Sequence, residues 1–267
     1  MRKIVFTLLF LVLIFSISKA QSDKSSSPFI KPWDDTTKPI IIDVYSKNDY
    51  TINQITKEKR IKGIIHKLSE EDSSIFYKRR KEAYKNNLLF GSYYLPKHDT
   101  DGKKQADEYL KMVGKDYIKK EFLALDFEKH KTTNEFISPY NAYLFVTRIY
   151  EKTGRYPHIY SSRSNIKTLE NSLYGQIFKK CKLWIIALTE NGDITDSFKK
   201  DKKNKKIWTT YSLWQFGCEM NCCEEKDTKD EENMQKPCFY KVDELECGID
   251  YNIYNGSEQE LIKNWAS

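Results

Sequence analysis

The chain has 267 residues, of which 39% are hydrophobic and 14% aromatic, and a net charge of +7. That length suits one α/β barrel domain, and the apolar content supplies a large core, which excludes a disordered chain. The positive charge is modest and diffuse: compatible with an anionic substrate such as a cell wall, and too spread out to argue for nucleic acid.

Arg2 and Lys3 precede a nearly unbroken apolar run over 4–17, and Ser18-Lys19-Ala20 ends in a small residue before Gln21. This predicts a signal peptide over 1–20, cut after Ala20, and a secreted, extracellular protein or one of a lumenal or vacuolar compartment. The competing reading is an uncleaved anchor, but the run is shorter than the roughly 20 residues a spanning helix needs, and no later segment is long and apolar enough. Removal of 1–20 takes away three positive charges, Arg2, Lys3 and Lys19. Residues 21–38, rich in Ser, Pro and Lys, read as a flexible lead-in to a single domain over 39–267.

Strands are predicted over 39–43, 62–67, 88–95, 122–128, 157–161, 183–188, 212–216 and 248–252. Helices are predicted over 73–87, 102–113, 138–153, 164–180 and 257–265. The first run, Ile40-Ile41-Ile42, is apolar without alternation, as in a strand buried on both faces. The helix at 138–153 has the clearest punctuation: Ser138 to cap it, Pro139 in its first turn, Gly154 to end it. Strand and helix alternate through five strands, and three strands follow without long helices. That pattern predicts one closed or nearly closed α/β barrel, with its chemistry at the C-terminal ends of the strands. The basic run over 199–206 reads as a solvated loop.

Of six cysteines, five fall between 218 and 247, in an acidic insertion before the last strand. Behind a signal peptide an even count favours disulfides, with 15 possible pairings. Zinc is the alternative, although the cluster contains no histidine and lacks paired C-x₂-C spacing.

The stretch Phe122-Leu123-Ala124-Leu125-Asp126-Phe127-Glu128 carries the chemistry. Asp126 and Glu128 stand two apart and share a strand face. Neighbouring carboxyls at the end of an apolar strand resist ionising together, so one holds its proton. A protonated acid beside an ionised one is what glycoside hydrolysis requires. Asp43 and Asp250 also stand near predicted strand ends, so four acids from strands one, four and eight are expected at one mouth.

With these residues the chain resembles glycoside hydrolase family 25, the Chalaropsis-type muramidases. Ile42-Asp43-Val44, Leu125-Asp126-Phe127-Glu128, Gly154-Arg155 with Pro157 and Ile159-Tyr160, Leu183-Trp184-Ile185, Trp214-Gln215-Phe216 and Ile249-Asp250-Tyr251-Asn252 are similar to that family's motifs, in order. The resemblance implies a TIM-like (β/α)₅β₃ barrel that cleaves peptidoglycan glycan strands between N-acetylmuramic acid and N-acetylglucosamine, with no metal or cofactor. It implies Glu128 as proton donor, Asp126 as the carboxylate that steadies an oxazolinium-like intermediate, and Asp43 and Asp250 as lining groups. Tyr93, Tyr160, Trp184 and Trp214 are the aromatics expected to meet sugar rings, and a monomer is expected. The chain departs from the family after Asp43, around His66-Lys67-Leu68-Ser69-Glu70, and at Tyr94. A non-catalytic wall-binding barrel is therefore the alternative. A chitinase of another barrel family fits less well, since Ala124 stands where its motif has an acid.

Overall fold

The computed structural model describes residues 30–130, 133–189, 192–199, 206–217, 245 and 248–267. The signal-peptide segment, most of the lysine-rich run, and all of the Cys-rich insertion except Leu245 lie outside the described residues. Eight strands close a barrel in chain order. They are β1 (Ile40–Val44), β2 (Ile61–Lys67), β3 (Leu89–Tyr94), β4 (Phe122–Asp126), β5 (His158–Ser162), β6 (Leu183–Ile186), β7 (Leu213–Gly217) and β8 (Asp250–Tyr254). β1 to β7 run parallel, whereas β8 is antiparallel to both of its neighbours, β7 and β1.

Helices occupy the first five crossovers: α1 (Ile52–Lys57), α2 (Ser73–Lys85), α3 (Gly102–Val113), α4 (Pro139–Thr153), and the short pair α5 (Ile166–Glu170) and α6 (Gly175–Phe178). Between β6 and β7 the described residues hold only a 3₁₀ turn, Thr195–Ser197. This is the (β/α)₅β₃ architecture. The helix predicted over 164–180 is in fact two. Ser172 Oγ donates to the Leu169 carbonyl and accepts from the Tyr174 amide, diverting the backbone between them. α4 is bounded as its sequence predicts: Ser138 Oγ accepts from the Asn141 amide at 3.1 Å, and Gly154 ends it at φ 78°.

Side chains alternate across each strand. Ile41, Ile65, Phe122, Ala124, Tyr160, Trp184 and Leu213 pack inside the barrel, and their chain neighbours pack outward against the helices. Gly91 leaves space in that interior: a Cβ there would lie 2.5 Å from Phe122 Cβ. The final helix, α7 (Glu258–Asn264), begins on a capping box of Ser257 and Glu260. It carries Leu261 and Trp265 beneath the barrel, where Trp265 packs 5.1 Å from Phe122 and donates to the Phe90 carbonyl.

The described end of the expected flexible lead-in is ordered by contacts. Trp33 is buried, stacks on Phe216 at 5.6 Å and meets Trp214 edge-on at 6.0 Å. Arg60 holds the backbone around it by donating to the Trp33, Pro32 and Lys38 carbonyls. The segment thus covers the outer face of β7, which the described chain leaves without a crossover helix.

Candidate active site

Asp43 is the fourth residue of β1, and Asp250 opens β8. They are direct partners across the antiparallel β1–β8 ladder, so their side chains leave the same face side by side. Asp250 therefore reaches the mouth from the start of its strand, not from a C-terminal end: reversal of β8 brings its first residue to the end where the parallel strands finish. Asp126 ends β4. The strand stops there, two residues earlier than the sequence suggests, and Glu128 lies just beyond it. The backbone carrying Glu128 stays tied to β5. The Phe127 amide donates to the Tyr160 carbonyl at 2.8 Å, and Ser161 Oγ donates to the Phe127 carbonyl at 2.7 Å.

The carboxyls sense one another. Asp43 and Asp126 are only 6% and 5% exposed, while Glu128 and Asp250 are half-buried. Burial pushes the Asp43 carboxyl well above the usual range. The charge of Asp250 adds to this, Asp126 and Glu128 contribute less, and a hydrogen bond from Asn252 opposes it. Burial also raises Asp126 well above its usual range; Glu128 adds to that and Lys67 pulls the other way. Against the expected pairing of a protonated Glu128 with an ionised Asp126, burial and neighbouring carboxyls raise the proton affinity of Asp126 and Asp43, so the cluster as a whole carries fewer charges than it has carboxyls. Asp126 Oδ1 is buried without a hydrogen-bond partner among the described residues.

Around the acids stand Tyr93 and Tyr160. Both hydroxyls are raised well above their usual range, first by burial and then by all four carboxylates, so both rings border the same space. Trp184 is 1% exposed and lies behind them, 6.0 Å from the Tyr93 ring and 4.5 Å from Tyr160. It backs the tyrosines, and its indole Nε1 donates to Asn252 Oδ1 at 2.6 Å. Trp214 does not join this group. It stands one residue out of phase with the inward positions of β7, so its ring points outward to Trp33 and Phe216, and Nε1 donates to the Ala187 carbonyl at 2.7 Å. The expected sugar contact by Trp214 is replaced by core packing.

Three residues with roles here escaped the sequence reading. Asn252 Nδ2 donates to Asp43 Oδ2 at 2.6 Å and to the Ile41 carbonyl at 3.1 Å, orienting Asp43. Its signal was present: it shares strand parity with Asp250. Lys67, on the inward parity of β2, is the cation that acts on Asp126. Gln215 is 1% exposed, shares the inward parity of Leu213 and faces Asn252 in register, with Oε1 unpartnered among the described residues. Of the six cysteines, Cys181 is a free, buried thiol packed in the outer core. It joins no disulfide. The other five lie outside the described residues, and with them the disulfide and zinc readings.

The model for glycosyl hydrolases family 25 matches residues 42–224, a span that takes in Asp43, Asp126 and Glu128 and stops before Asp250. No curated protein sequence is significantly similar to the chain. Among solved structures, a bacterial lysozyme from Streptomyces coelicolor superposes with a TM-score of 0.63 at 18% identity, over 87% of this chain and 99% of that one. A family 25 lysozyme from Aspergillus fumigatus gives 0.61 at 20% identity, over 86% and 100%. A muramidase from Acremonium alcalophilum gives 0.59 at 19% identity, over 85% and 98%. At these identities the superpositions speak for the fold.

Proposed function

The chain belongs to glycosyl hydrolases family 25 and is a glycoside hydrolase of the lysozyme, or muramidase, class; we propose that Glu128 is the general acid with which it cuts the β-1,4 bond between N-acetylmuramic acid and N-acetylglucosamine in peptidoglycan. The observation that carries this assignment is the meeting of four acids from β1, β4 and β8 around Tyr93 and Tyr160.

Four carboxyls this crowded retain protons that isolated ones would lose. Glu128, less buried than Asp126, is the member placed to meet a leaving group. Its proton passes to the glycosidic oxygen as the bond to the anomeric carbon breaks. The substrate's own acetamido oxygen closes on that carbon. The N–H of the same acetamido group hydrogen-bonds to Asp126, whose Oδ1 has no partner among the described residues, and the carboxylate balances the positive charge that develops on the ring so formed. Water then attacks the anomeric carbon as its bond to the acetamido oxygen breaks, Glu128 takes the water's proton, and the acetamido group and the enzyme return to their starting state. Asn252 fixes Asp43 beside Asp250, and these two acids keep the cluster's proton affinity high.

Purified protein is expected to release reducing ends from peptidoglycan, and Glu128→Gln to lower this by orders of magnitude without lowering the unfolding midpoint. A folded wild-type protein that binds wall glycan and never turns it over would establish the non-catalytic alternative. Export is also part of the proposal: sequencing the N-terminus of the exported protein should read from Gln21.

A further inference from the structure

A second cleft, of about 620 Å³, opens between the middle of α2 and the end of α3. It lies beside the turn leading into the start of β4, hence at the opposite end of that strand from Asp126. Arg80 forms its floor and is 5% exposed; its guanidinium stands 4.0 Å from the centre of the Tyr117 ring. Glu121 pairs with Arg80 Nε at 3.1 Å, while Nη2 is buried with no hydrogen-bond partner among the described residues. Tyr77 and Tyr84 line the cleft and are 43% and 36% exposed. Lys81 on α2, Lys111 on α3 and Lys115 in the following turn, all exposed, line it from three segments, and Asp116 is the one acid among its lining residues.

The volume is that of a ligand site. Aromatic faces with open area suit sugar rings, and the excess of cations selects an anion. Cations arriving from three segments suit the spread oxygens of a tetrahedral phosphate better than the two coplanar oxygens of a carboxylate. We propose that this cleft binds a phosphodiester-linked glycopolymer of the cell wall, anchoring the enzyme to its substrate's surroundings while the carboxyl-lined mouth works elsewhere on the wall; the choice of wall polymer rests on the peptidoglycan reading above. Two sites on one body raise the effective concentration of the second partner once the first is bound.

The test is affinity electrophoresis of the full chain through gels containing a phosphodiester-linked wall glycopolymer, a polyuronate, or a neutral glucan. Glu128→Gln serves as the parent, so that no substrate is consumed. The parent is expected to be retarded by the phosphodiester polymer at least tenfold more strongly than by the other two, with the effect fading as salt rises. The triple variant Lys81→Glu, Lys111→Glu, Lys115→Glu should lose that retardation at least tenfold. In the otherwise wild-type chain it should cleave soluble glycan fragments at an unchanged rate. Lys111→Gln with Lys115→Gln, which only neutralises exposed charge, should give an intermediate loss. No retardation of the parent, or full retardation of the triple variant, overturns the site. Equal retardation by the polyuronate overturns the phosphate assignment. The turnover assay on soluble fragments reads the catalytic proposal separately, so either can fail alone.

Discussion

Two sets of buried acids in this barrel meet opposite fates. Glu121, at the start of β4, is fully buried beside Arg80 and accepts a hydrogen bond from Tyr84 at 2.7 Å. Both partners pull its carboxyl down, burial outweighs them, and it rests at about 7. Asp43 and Asp126, at the other end of the same sheet, face carboxylates, with Lys67 as the opposing cation acting on Asp126. The first set is compensated by a neighbouring cation, as a structural acid has to be. The second is left crowded. Crowded buried acids destabilise a fold, and this contrast is what supports the proposal that the chain works at that end of the sheet.

The largest test of this contrast is Glu128→Gln. Loss of general acid catalysis is expected to lower turnover by about 10²–10⁴-fold in a reducing-end assay, with no loss of stability. Arg80→Met reverses the pattern. It strands Glu121 without its cation and should cost about 3–5 kcal/mol in chemical denaturation, while the folded fraction keeps its turnover per molecule. Asp126→Asn should behave like an active-site change on both counts: activity falls, and the unfolding midpoint at neutral pH rises by a few degrees as like-charge crowding is relieved, on the scale of about 2–4 °C per kcal/mol.

Stability against pH follows from the same shifts. Asp43, Asp126 and Glu121 are all raised in the folded state, so from about pH 4 upward the folded protein holds more protons than the unfolded chain. Stability is then greatest on the acid side and declines as pH rises, with the Glu121 contribution to that decline ending near 7. Unfolding midpoints taken from pH 5 to 8 should show this slope, and Asp43→Asn with Asp126→Asn should flatten it. The smallest expected effect separates two tryptophans. Trp184→Phe removes the hydrogen bond that orients Asn252 and should lower turnover several-fold. Trp214→Phe should cost only stability, read as a lower midpoint.

The architecture was legible because apolar runs and helix punctuation are local signals. Ile40-Ile41-Ile42 and the Ser138–Gly154 frame state their structure within a few residues. α1 was missed although Thr51 and Gln54 form a capping box at its start, because six residues offer only Ile52 and Ile55 as an apolar face. The positions of the acids were readable, and their surroundings were not. Which way Trp214 points is a question of parity relative to Leu213 and Gln215, settled only once the sheet closes. The direction of β8, which delivers Asp250, depends on pairing with β1, more than two hundred residues earlier. The proton's resting place depends on burial, which no single stretch of sequence states.

That β1–β8 seam also sets the order of assembly. The ribosome releases β1 early, and one of its edges waits without a hydrogen-bonding neighbour until residue 254 has been made. Nascent chains long enough to contain seven strands are incomplete rings, with Ile41 and Asp43 on an open margin. Such intermediates are the ones most exposed to pairing with another chain, and ring closure is a late, long-range and therefore slow event. Chaperone dependence should consequently peak just before the last strand emerges.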